Sequence, residues 1–293
     1  MKKQNGLLSL TKGLERFLSH LKGQSRSRNT IIAYQNDIQQ LIEFLKNKGV
    51  DRLDNVSPQD IEEFKKYLSQ EQKYTNKTVS RKLNSVKSFF RFLVESQVIK
   101  EDPSANVSHP KIETKPPRIL SSLEYRALRD ACRDDARTYA IVELMLQAGL
   151  RISEVANLEL DDINEDKLTI RPYESHPGRV VPLNKSAREA IKRYLEERPK
   201  GKRNRHLFIT KNGRPLLVRN IRNSINRYFK IAEIKNTYVN NLRDTFIVNQ
   251  LEAGIPLNVI SKIIGHKRVS STEKYLALVK NRNEEGKVKL KEL

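Results

Sequence analysis

The chain contains little that would cross-link, export or anchor it. It has a single cysteine, Cys132, so an internal disulfide is impossible, which fits a reducing compartment. No stretch approaches the roughly 20 apolar residues of a transmembrane helix. The opening MKKQNGLLSLTKGLERF lacks the long apolar run and small-residue cleavage site of a signal peptide. We therefore expect a soluble protein of the cytoplasm that has no membrane partner.

Common metal and nucleotide signatures are also missing. The sequence has no cysteine pair, no HExxH motif and no Walker loop, and its five histidines are scattered. It contains no internal repeat. The expected sites therefore include no metal and no cofactor.

Acidic residues are scarce relative to basic ones. The chain has 56 Lys and Arg against 35 Asp and Glu, which makes a formal net charge of +21. Such an excess favours a polyanionic partner, because neutralisation of phosphates supplies most non-specific affinity for nucleic acid. The alternative is a basic soluble protein without such a partner.

The first hundred residues have the apolar spacing of helices. Three stretches carry it, namely residues 29–45, 57–68 and 76–95. Ser57 and Asp60 predict a capping box at the start of the second stretch. The third stretch has basic residues away from its apolar stripe, which form either a solvated face or a contact to the DNA backbone. These residues are Lys77, Arg81, Lys87 and Arg91.

A proline-containing stretch, NVSHPKIETKPPRIL, then interrupts the helical pattern. Such a stretch reads as an extended linker because proline and the residue before it disfavour helix. We expect a helical domain over residues 1–107, a linker over 108–118 and a second domain over 119–293.

The second domain is predicted to be mainly α with a small β-hairpin. Ser121 and Glu124 predict a capping box, and a following helix should end at Gly149. Residues 167–183 contain β-formers on both sides of a polar turn, which predicts two strands. Helices then resume, and Ser270 and Glu273 predict a capping box for the last of them.

One histidine and one tyrosine stand out near the end of the chain. Gly265 should end a helix and leave His266 on a loop, and Tyr275 follows nine positions later. Any one such pair is more often structural than catalytic.

Three blocks of the sequence resemble the tyrosine recombinases, also called the phage integrase family. The blocks QAGLRISEVANLELDDI, NNLRDTFIVNQLEAGIPLNVISKIIGH and SSTEKYLALV stand in the order and spacing of that family. The resemblance covers nearly all of the chain. It implies a SAM-like core-binding domain and a catalytic domain that together form a C-shaped clamp around DNA. It also implies a C-terminal exchange segment, from about residue 280, that docks on a neighbouring subunit.

The resemblance assigns roles that suit the chemistry of strand cleavage at phosphorus. Tyr275 would be the nucleophile and would form a 3′-phosphotyrosyl bond, which conserves the phosphodiester energy so that rejoining needs no ATP. Arg151 and Arg243 would bind the developing pentacoordinate phosphate, because guanidinium stays charged and can bind two oxygens at once. His266 would hydrogen-bond the phosphate or assist the tyrosine, and Glu154 would support the site. For each arginine the alternative is a surface ion pair.

The sequence departs from the family pattern in two places. Around the second arginine the usual motif is His-x-x-Arg-His, whereas here Asn240 and Asp244 occupy the two histidine positions. Asparagine can donate a hydrogen bond to a phosphate but cannot be a base or a cation.

The family also places a lysine in the hairpin to protonate the leaving oxygen, and the matching stretch RPYESHPG has none. Glu174 and Ser175 lie near the expected place. His176 can titrate at working pH, and Lys167 preserves the residue type but is expected to precede the strand. The acid therefore stays open among Lys167, Arg171, His176 and Arg179.

The resemblance implies a site-specific recombinase that acts as a homotetramer on paired double-stranded DNA sites. Its reaction would be integration and excision, or resolution of dimers or transposon cointegrates, and it would be found with the nucleoid. The length leaves little room for an additional arm-binding domain, which favours a simple recombinase. One alternative is a type IB-like topoisomerase. The other is a sequence-specific DNA-binding protein with reduced or lost catalysis.

Overall fold

A computed structural model of the chain describes residues 8–24, 26–113, 116–173, 176–199 and 204–279. The chain divides into two compact units, residues 1–114 and 115–293. The fold is mainly helical with one small antiparallel sheet, as the sequence predicted.

The described residues of the first unit form four α-helices. They are α1 (Leu10–Gly23), α2 (Arg28–Asn47), α3 (Pro58–Gln70) and α4 (Asn76–Glu95). The predictions over 29–45, 57–68 and 76–95 are confirmed, whereas α1 was not predicted. The capping box of Ser57 and Asp60 is present, with Pro58 as the first helical residue. Its core consists of aliphatic side chains and four buried phenylalanines, Phe17, Phe64, Phe89 and Phe90.

A buried carboxylate joins α2 to α4 in this unit. Asp37 is 2% exposed and accepts hydrogen bonds from Arg81, Lys82 and Ser85, all on α4. Burial alone would raise the pKa of Asp37, but these partners outweigh it and lower that pKa. A buried charge is tolerated only when it is paired and hydrogen-bonded in this way. The contact therefore fixes the two helices against each other.

The second unit contains eight further helices and the hairpin among its described residues. The elements are α5 (Ser122–Ala131), α6 (Ala136–Gln147), α7 (Ile152–Asn157), β1 (Lys167–Ile170), β2 (Arg179–Pro182), α8 (Lys185–Glu197), α9 (Val218–Ile231), α10 (Asn240–Glu252), α11 (Leu257–Ile264) and α12 (Ser270–Glu273). The capping box of Ser121 and Glu124 is confirmed. The pairing of β1 with β2 places Lys167 opposite Pro182 and Ile170 opposite Arg179.

Two local predictions are wrong. Lys167 does not precede the strand, because it is the first residue of β1 and pairs with Pro182. Ser270 does not cap the last helix. Val269 already has helical backbone angles, so the chain has turned before Ser270, which lies inside α12 and makes no side-chain cap.

Candidate active site

A close approach of two helices brings Arg151 and Arg243 to one place. Gly149 follows α6 with φ at +62°, and a Cβ there would collide with the ring of Phe246 on α10. Glycine is needed both for the left-handed backbone and for this contact. The carbonyl of Gly149 accepts a hydrogen bond from Arg243 on the same helix α10, and Arg151, two residues after Gly149, is the N-cap of α7. The turn after α6 therefore positions both arginines.

The carboxyl end of α11 collects three guanidinium groups. Gly265 ends the helix in the left-handed conformation, as predicted. Arg243 donates to the carbonyl of Ile264 at 2.6 Å, and Arg151 donates to the carbonyls of Ile264 and Gly265 at 3.2 and 3.0 Å. Arg179 donates to the carbonyl of residue 263. The last carbonyls of a helix lack partners within it and attract cations, so this end orients the arginines.

Glu154 is the carboxylate that accompanies these arginines. It accepts two hydrogen bonds from Arg179, at 2.7 and 2.8 Å, and one from the Arg151 guanidinium at 2.9 Å. It also accepts from the backbone N–H of Arg151, closing the first turn of α7. Burial alone would raise the pKa of Glu154, but Arg179 and Arg151 outweigh it and lower that pKa to about 2. Glu154 is therefore ionised and orients two arginines.

The cluster has more positive than negative charge. Glu154 faces Arg151, Arg179 and Arg243, and Arg243 is only 7% exposed. Burial, followed by repulsion from Arg151, lowers the pKa of Arg243 to about 9, which leaves it protonated at neutral pH. Each guanidinium has five N–H donors, and the protein uses only part of those on Arg243. A bound anion would relieve the repulsion and take the remaining donors.

His266 follows this helix end directly. Its Nδ1 is 2.8 Å from the Thr272 hydroxyl. Burial and the nearby charges of Arg243 and Arg151 lower the pKa of His266 to about 4. The ring is therefore neutral at pH 7 and has one nitrogen that donates and one that accepts.

Tyr275 lies in the turn after α12 and is 2% exposed. Its hydroxyl donates a hydrogen bond to Asp244 Oδ1 at 2.6 Å. Burial and the adjacent carboxylate raise the pKa of Tyr275 well above its usual value, and Arg243 is close enough to oppose this shift. The tyrosine, the arginines and His266 thus belong to one site, although they come from distant parts of the sequence.

The structure separates the four candidates for the leaving-group acid. Arg179 lies in the cluster and is held there by Glu154. Arg171 is bound instead to Glu159 and Asp162, each at 2.7 Å. Lys167 lies at the opposite end of the strand ladder from Arg179 and is exposed.

His176 lies in the hairpin turn, where its backbone exchanges hydrogen bonds with that of Tyr173. The expected lysine position near Glu174 and Ser175 falls outside the described residues, as does the exchange segment from about residue 280.

Asn240 is the first residue of α10, and its side chain is exposed. The four basic candidates on α4 belong to the first unit. Lys77 and Arg91 are exposed, whereas Arg81 binds Asp37 and Lys87 donates to the carbonyl of residue 105 at 3.1 Å. Two of the four thus have contacts within the protein.

Sequence reasoning did not identify Asp244 as the partner of Tyr275 or Arg179 as the partner of Glu154. Asp244 was noted only as a departure from a motif. Alternation along β2 could have placed Arg179, because it shares a face with the buried Val181. No comparable pattern links Asp244 to a residue 31 positions away.

Among the described residues, no group of three or more His, Cys, Asp or Glu side chains is arranged to hold a metal ion. In the same part of the chain, no helix is both long and apolar enough to cross a membrane.

Comparison with known proteins shows similarity along most of the chain. The phage integrase family matches residues 118–282, and the phage integrase N-terminal SAM-like domain matches residues 14–97. Tyrosine recombinase XerC of Roseiflexus castenholzii is 30% identical over 90% of this chain and 88% of its own length. XerC of Leptospira interrogans is 27% identical over 94% and 92%.

Solved structures show the same fold. A crystal structure of XerA recombinase is 25% identical, covers 96% of this chain and 99% of its own, and has a TM-score of 0.54. A lambda integrase dimer bound to a COC′ core site has a TM-score of 0.75 at 16% identity, covering 90% of this chain and 97% of its own.

These findings define a tyrosine-type site-specific recombinase. The chain belongs to the phage integrase family, and its similarity to XerC extends through both units.

Proposed function

We propose that the protein cleaves and rejoins DNA strands through a 3′-phosphotyrosyl intermediate formed on Tyr275. One observation carries this proposal. The hydroxyl of the buried Tyr275 lies beside a cluster of three guanidinium groups, whose positive charge exceeds that of the two nearby carboxylates, Glu154 and Asp244. A phosphodiester is the anion that would need both a nucleophile and this charge.

In the proposed reaction Tyr275 attacks phosphorus while Arg151 and Arg243 neutralise the nonbridging oxygens. Positive groups that are already positioned where negative charge develops in the transition state often make the largest contribution to the rate. Glu154 holds Arg151 in position, and neutral His266 donates a hydrogen bond to the phosphate. Asn240 would donate another from the start of α10. No cofactor enters, because the phosphotyrosyl bond conserves the energy for rejoining.

The leaving 5′ oxygen needs a proton from another group. Guanidinium does not give up its proton in proteins, so we propose that the acid is Lys167 or His176 rather than Arg171 or Arg179. A substrate whose leaving oxygen is replaced by sulfur tests this, since a thiolate leaves without a proton. If Lys167 or His176 is the acid, the alanine variant of that residue should regain the wild-type cleavage rate on the sulfur substrate. If both Lys167→Ala and His176→Ala stay slow there, neither residue is the acid.

We further propose that residues 1–107 form a core-binding domain joined by the linker 108–118 to a catalytic domain over 119–293. Lys77 and Arg91 would contact DNA phosphates from α4, with Arg81 contributing its exposed edge. Lambda integrase has been solved as a dimer on a core site and as a tetramer on a Holliday junction. By analogy, this protein would act as a tetramer on two DNA sites at the nucleoid, with the segment after residue 280 docked on a neighbour.

The similarity to XerC favours a simple recombinase that resolves dimers or cointegrates. The second candidate is a DNA-binding protein with reduced catalysis. The exposed Asn240 at a histidine position and the lack of a lysine in the stretch RPYESHPG favour it. A monomeric type IB-like topoisomerase would relax plasmids that lack paired sites, so product topology distinguishes it.

The test begins by selecting duplexes from a random-sequence library with the Tyr275→Phe variant. Nicked versions of the selected site then trap any covalent intermediate, because the short strand beyond the nick diffuses away. Wild-type protein should form a covalent adduct and Tyr275→Phe none, whereas Tyr238→Phe should behave as wild type because Tyr238 is 76% exposed. Site binding without an adduct would favour the second candidate. Failure to enrich any sequence would contradict site-specific binding.

A further inference from the structure

The hydroxyl of Tyr275 has a specific partner that the family pattern does not supply. It donates to Asp244 Oδ1 at 2.6 Å, whereas Nδ1 of His266 is bound to Thr272. The residue that usually follows the second arginine is histidine, so this carboxylate is a feature of the present chain. A general base must lie within hydrogen-bond reach of the proton it removes, and Asp244 meets this condition.

Asp244 is itself held in a fixed orientation. Its second oxygen, Oδ2, accepts from the Asn241 side-chain amide at 3.2 Å. The side-chain oxygen Oδ1 of Asn241 accepts from the backbone N–H of Tyr238 at 2.7 Å and from the Thr237 hydroxyl at 3.3 Å, so its NH₂ group faces Asp244. A nucleophile, a base and a third group that orients the base is the usual arrangement for covalent catalysis.

We propose that Asp244 is a catalytic residue that takes the phenolic proton of Tyr275 during strand cleavage. The inference rests on the proposed function of Tyr275. As the bond from Tyr275 Oη to phosphorus forms, the Tyr275 proton passes to Asp244 Oδ1. The bond from phosphorus to the 5′ oxygen breaks, and that oxygen leaves with the electron pair and takes a proton from the separate acid. In rejoining, the 5′ hydroxyl attacks phosphorus and returns its proton to that separate acid, the bond from phosphorus to Tyr275 Oη breaks, and the departing phenolate recovers its proton from Asp244.

The surroundings of Asp244 suit a base. Burial raises the pKa of Asp244, while Tyr275, Asn241, Lys274 and Arg243 oppose that shift. A carboxylate with a raised pKa holds a proton more strongly and is a better acceptor. Lys274 and Arg243 are the charged groups that face the pair, and their positive charge favours the ionised form of Asp244 in the resting site.

The central variant is Asp244→Asn, which has nearly the same shape and can still accept the tyrosine hydrogen bond but cannot take up its proton. We expect the rate of adduct formation on the nicked selected site to fall about 10²- to 10⁴-fold, the usual contribution of general-base catalysis. Binding to the intact site and the midpoint of thermal unfolding should stay at the wild-type values. Asp130→Asn is the matched control, since Asp130 pairs only with Arg133 on the surface, 66% exposed. It should keep the wild-type rate.

Two measurements separate this role from others. On a substrate with sulfur at the leaving position, the defect of Asp244→Asn should persist, because the defect concerns the nucleophile; recovery there would assign Asp244 to the leaving group. Replacing Tyr275 by a fluorinated tyrosine, whose phenol is more acidic, should shrink the defect, because a weaker base then suffices. A purely structural role would leave the size of the defect unchanged.

The outcomes distinguish this inference from the proposed function. No adduct from wild-type protein, or an adduct that survives Tyr275→Phe, contradicts the function itself. A wild-type adduct together with an Asp244→Asn rate within about threefold of wild type overturns only the role of Asp244. If Asp244→Asn unfolds at a lower temperature than wild type, the Asp244→Glu variant is the deciding test, because it retains a carboxylate. A rate of adduct formation for Asp244→Glu no higher than that of Asp244→Asn would also overturn the role of Asp244 as a base.

Discussion

At the residue scale, buried ionic partners determine which side chains of the site can change their protonation state. Glu154 is held as a carboxylate by Arg179 and Arg151, and its pKa of about 2 lies below that of a free glutamate, about 4.3. Because the pKa is lower in the folded state, the stability that Glu154 contributes is complete above the free value. It is lost as pH falls from there toward 2.

Glu154→Gln should therefore destabilise the protein by about 3 kcal/mol at neutral pH, because it leaves buried guanidinium groups without their counter-charge. Urea unfolding measures the difference in free energy of unfolding between wild type and Glu154→Gln. This difference should shrink below pH 4, because the wild type then loses the stability that ionised Glu154 contributes. Glu189→Gln on the surface of α8 is the control and should change the free energy of unfolding by less than about 0.5 kcal/mol. An unchanged difference at pH 3 would contradict the assigned pKa.

The residue types of the site were predictable from sequence, but their contacts were not. The blocks that resemble one family contain Arg151, Arg243, His266 and Tyr275. We therefore expected these side chains to lie in one site. Asp244 was only a departure from that pattern, because its effect depends on the distance to Tyr275, which no local pattern encodes. Such pairs depend on how α10 and the turn after α12 pack, a tertiary effect.

At the scale of elements, the end of α6 and the start of α10 place the arginines. The capping boxes at Ser57 and Ser121 were predictable because they depend on residues three apart. The start of α12 was not, because Val269 enters the helix before Ser270 for reasons that lie in the packing of the preceding loop. The left-handed turns at Gly149 and Gly265 were predictable as helix ends, but the contact of Gly149 with Phe246 was not.

That contact predicts a specific effect of Gly149→Ala. The new methyl group would collide with Phe246, in addition to the strain of a positive φ, so we expect the free energy of unfolding to fall by about 2–4 kcal/mol. Adduct formation should also be slower, because Arg243, which is bound to the Gly149 carbonyl, would be displaced. Gly254→Ala is the matched control, since Gly254 also has a positive φ but has nothing within 4 Å of the added carbon. It should cost only about 1 kcal/mol and leave the rate unchanged. Equal losses in the two variants would contradict the role of the contact.

At the scale of the whole molecule, the charge of +21 predicts a strong dependence of DNA binding on salt. If the protein covers about six to ten phosphates, affinity should fall about 10³- to 10⁵-fold between 50 and 200 mM salt. Lys77→Ala should reduce the steepness of log affinity against log salt concentration by about one. It should also weaken binding to all DNA sequences by a similar factor. Lys185→Ala on α8, where the lysine is 83% exposed beside Glu189, is the control. A salt-independent affinity would contradict phosphate binding.

The mainly α fold could be predicted at this scale from the apolar spacing of the sequence. The helix α1 was not predicted, although its buried Leu10, Leu14, Phe17 and Leu21 have helical spacing. Charge predicted a polyanionic partner without identifying the reaction, which required the site.

The most direct test of the account is to locate the covalent bond in the protein–DNA adduct. The adduct formed on the nicked selected site is digested with protease, and the nucleotide-bearing peptide is sequenced by mass spectrometry. We expect a single modified residue, Tyr275, joined to the 3′ phosphate of the cleaved strand. Attachment at another residue, such as the exposed Tyr238, or through a 5′ phosphate, would contradict it.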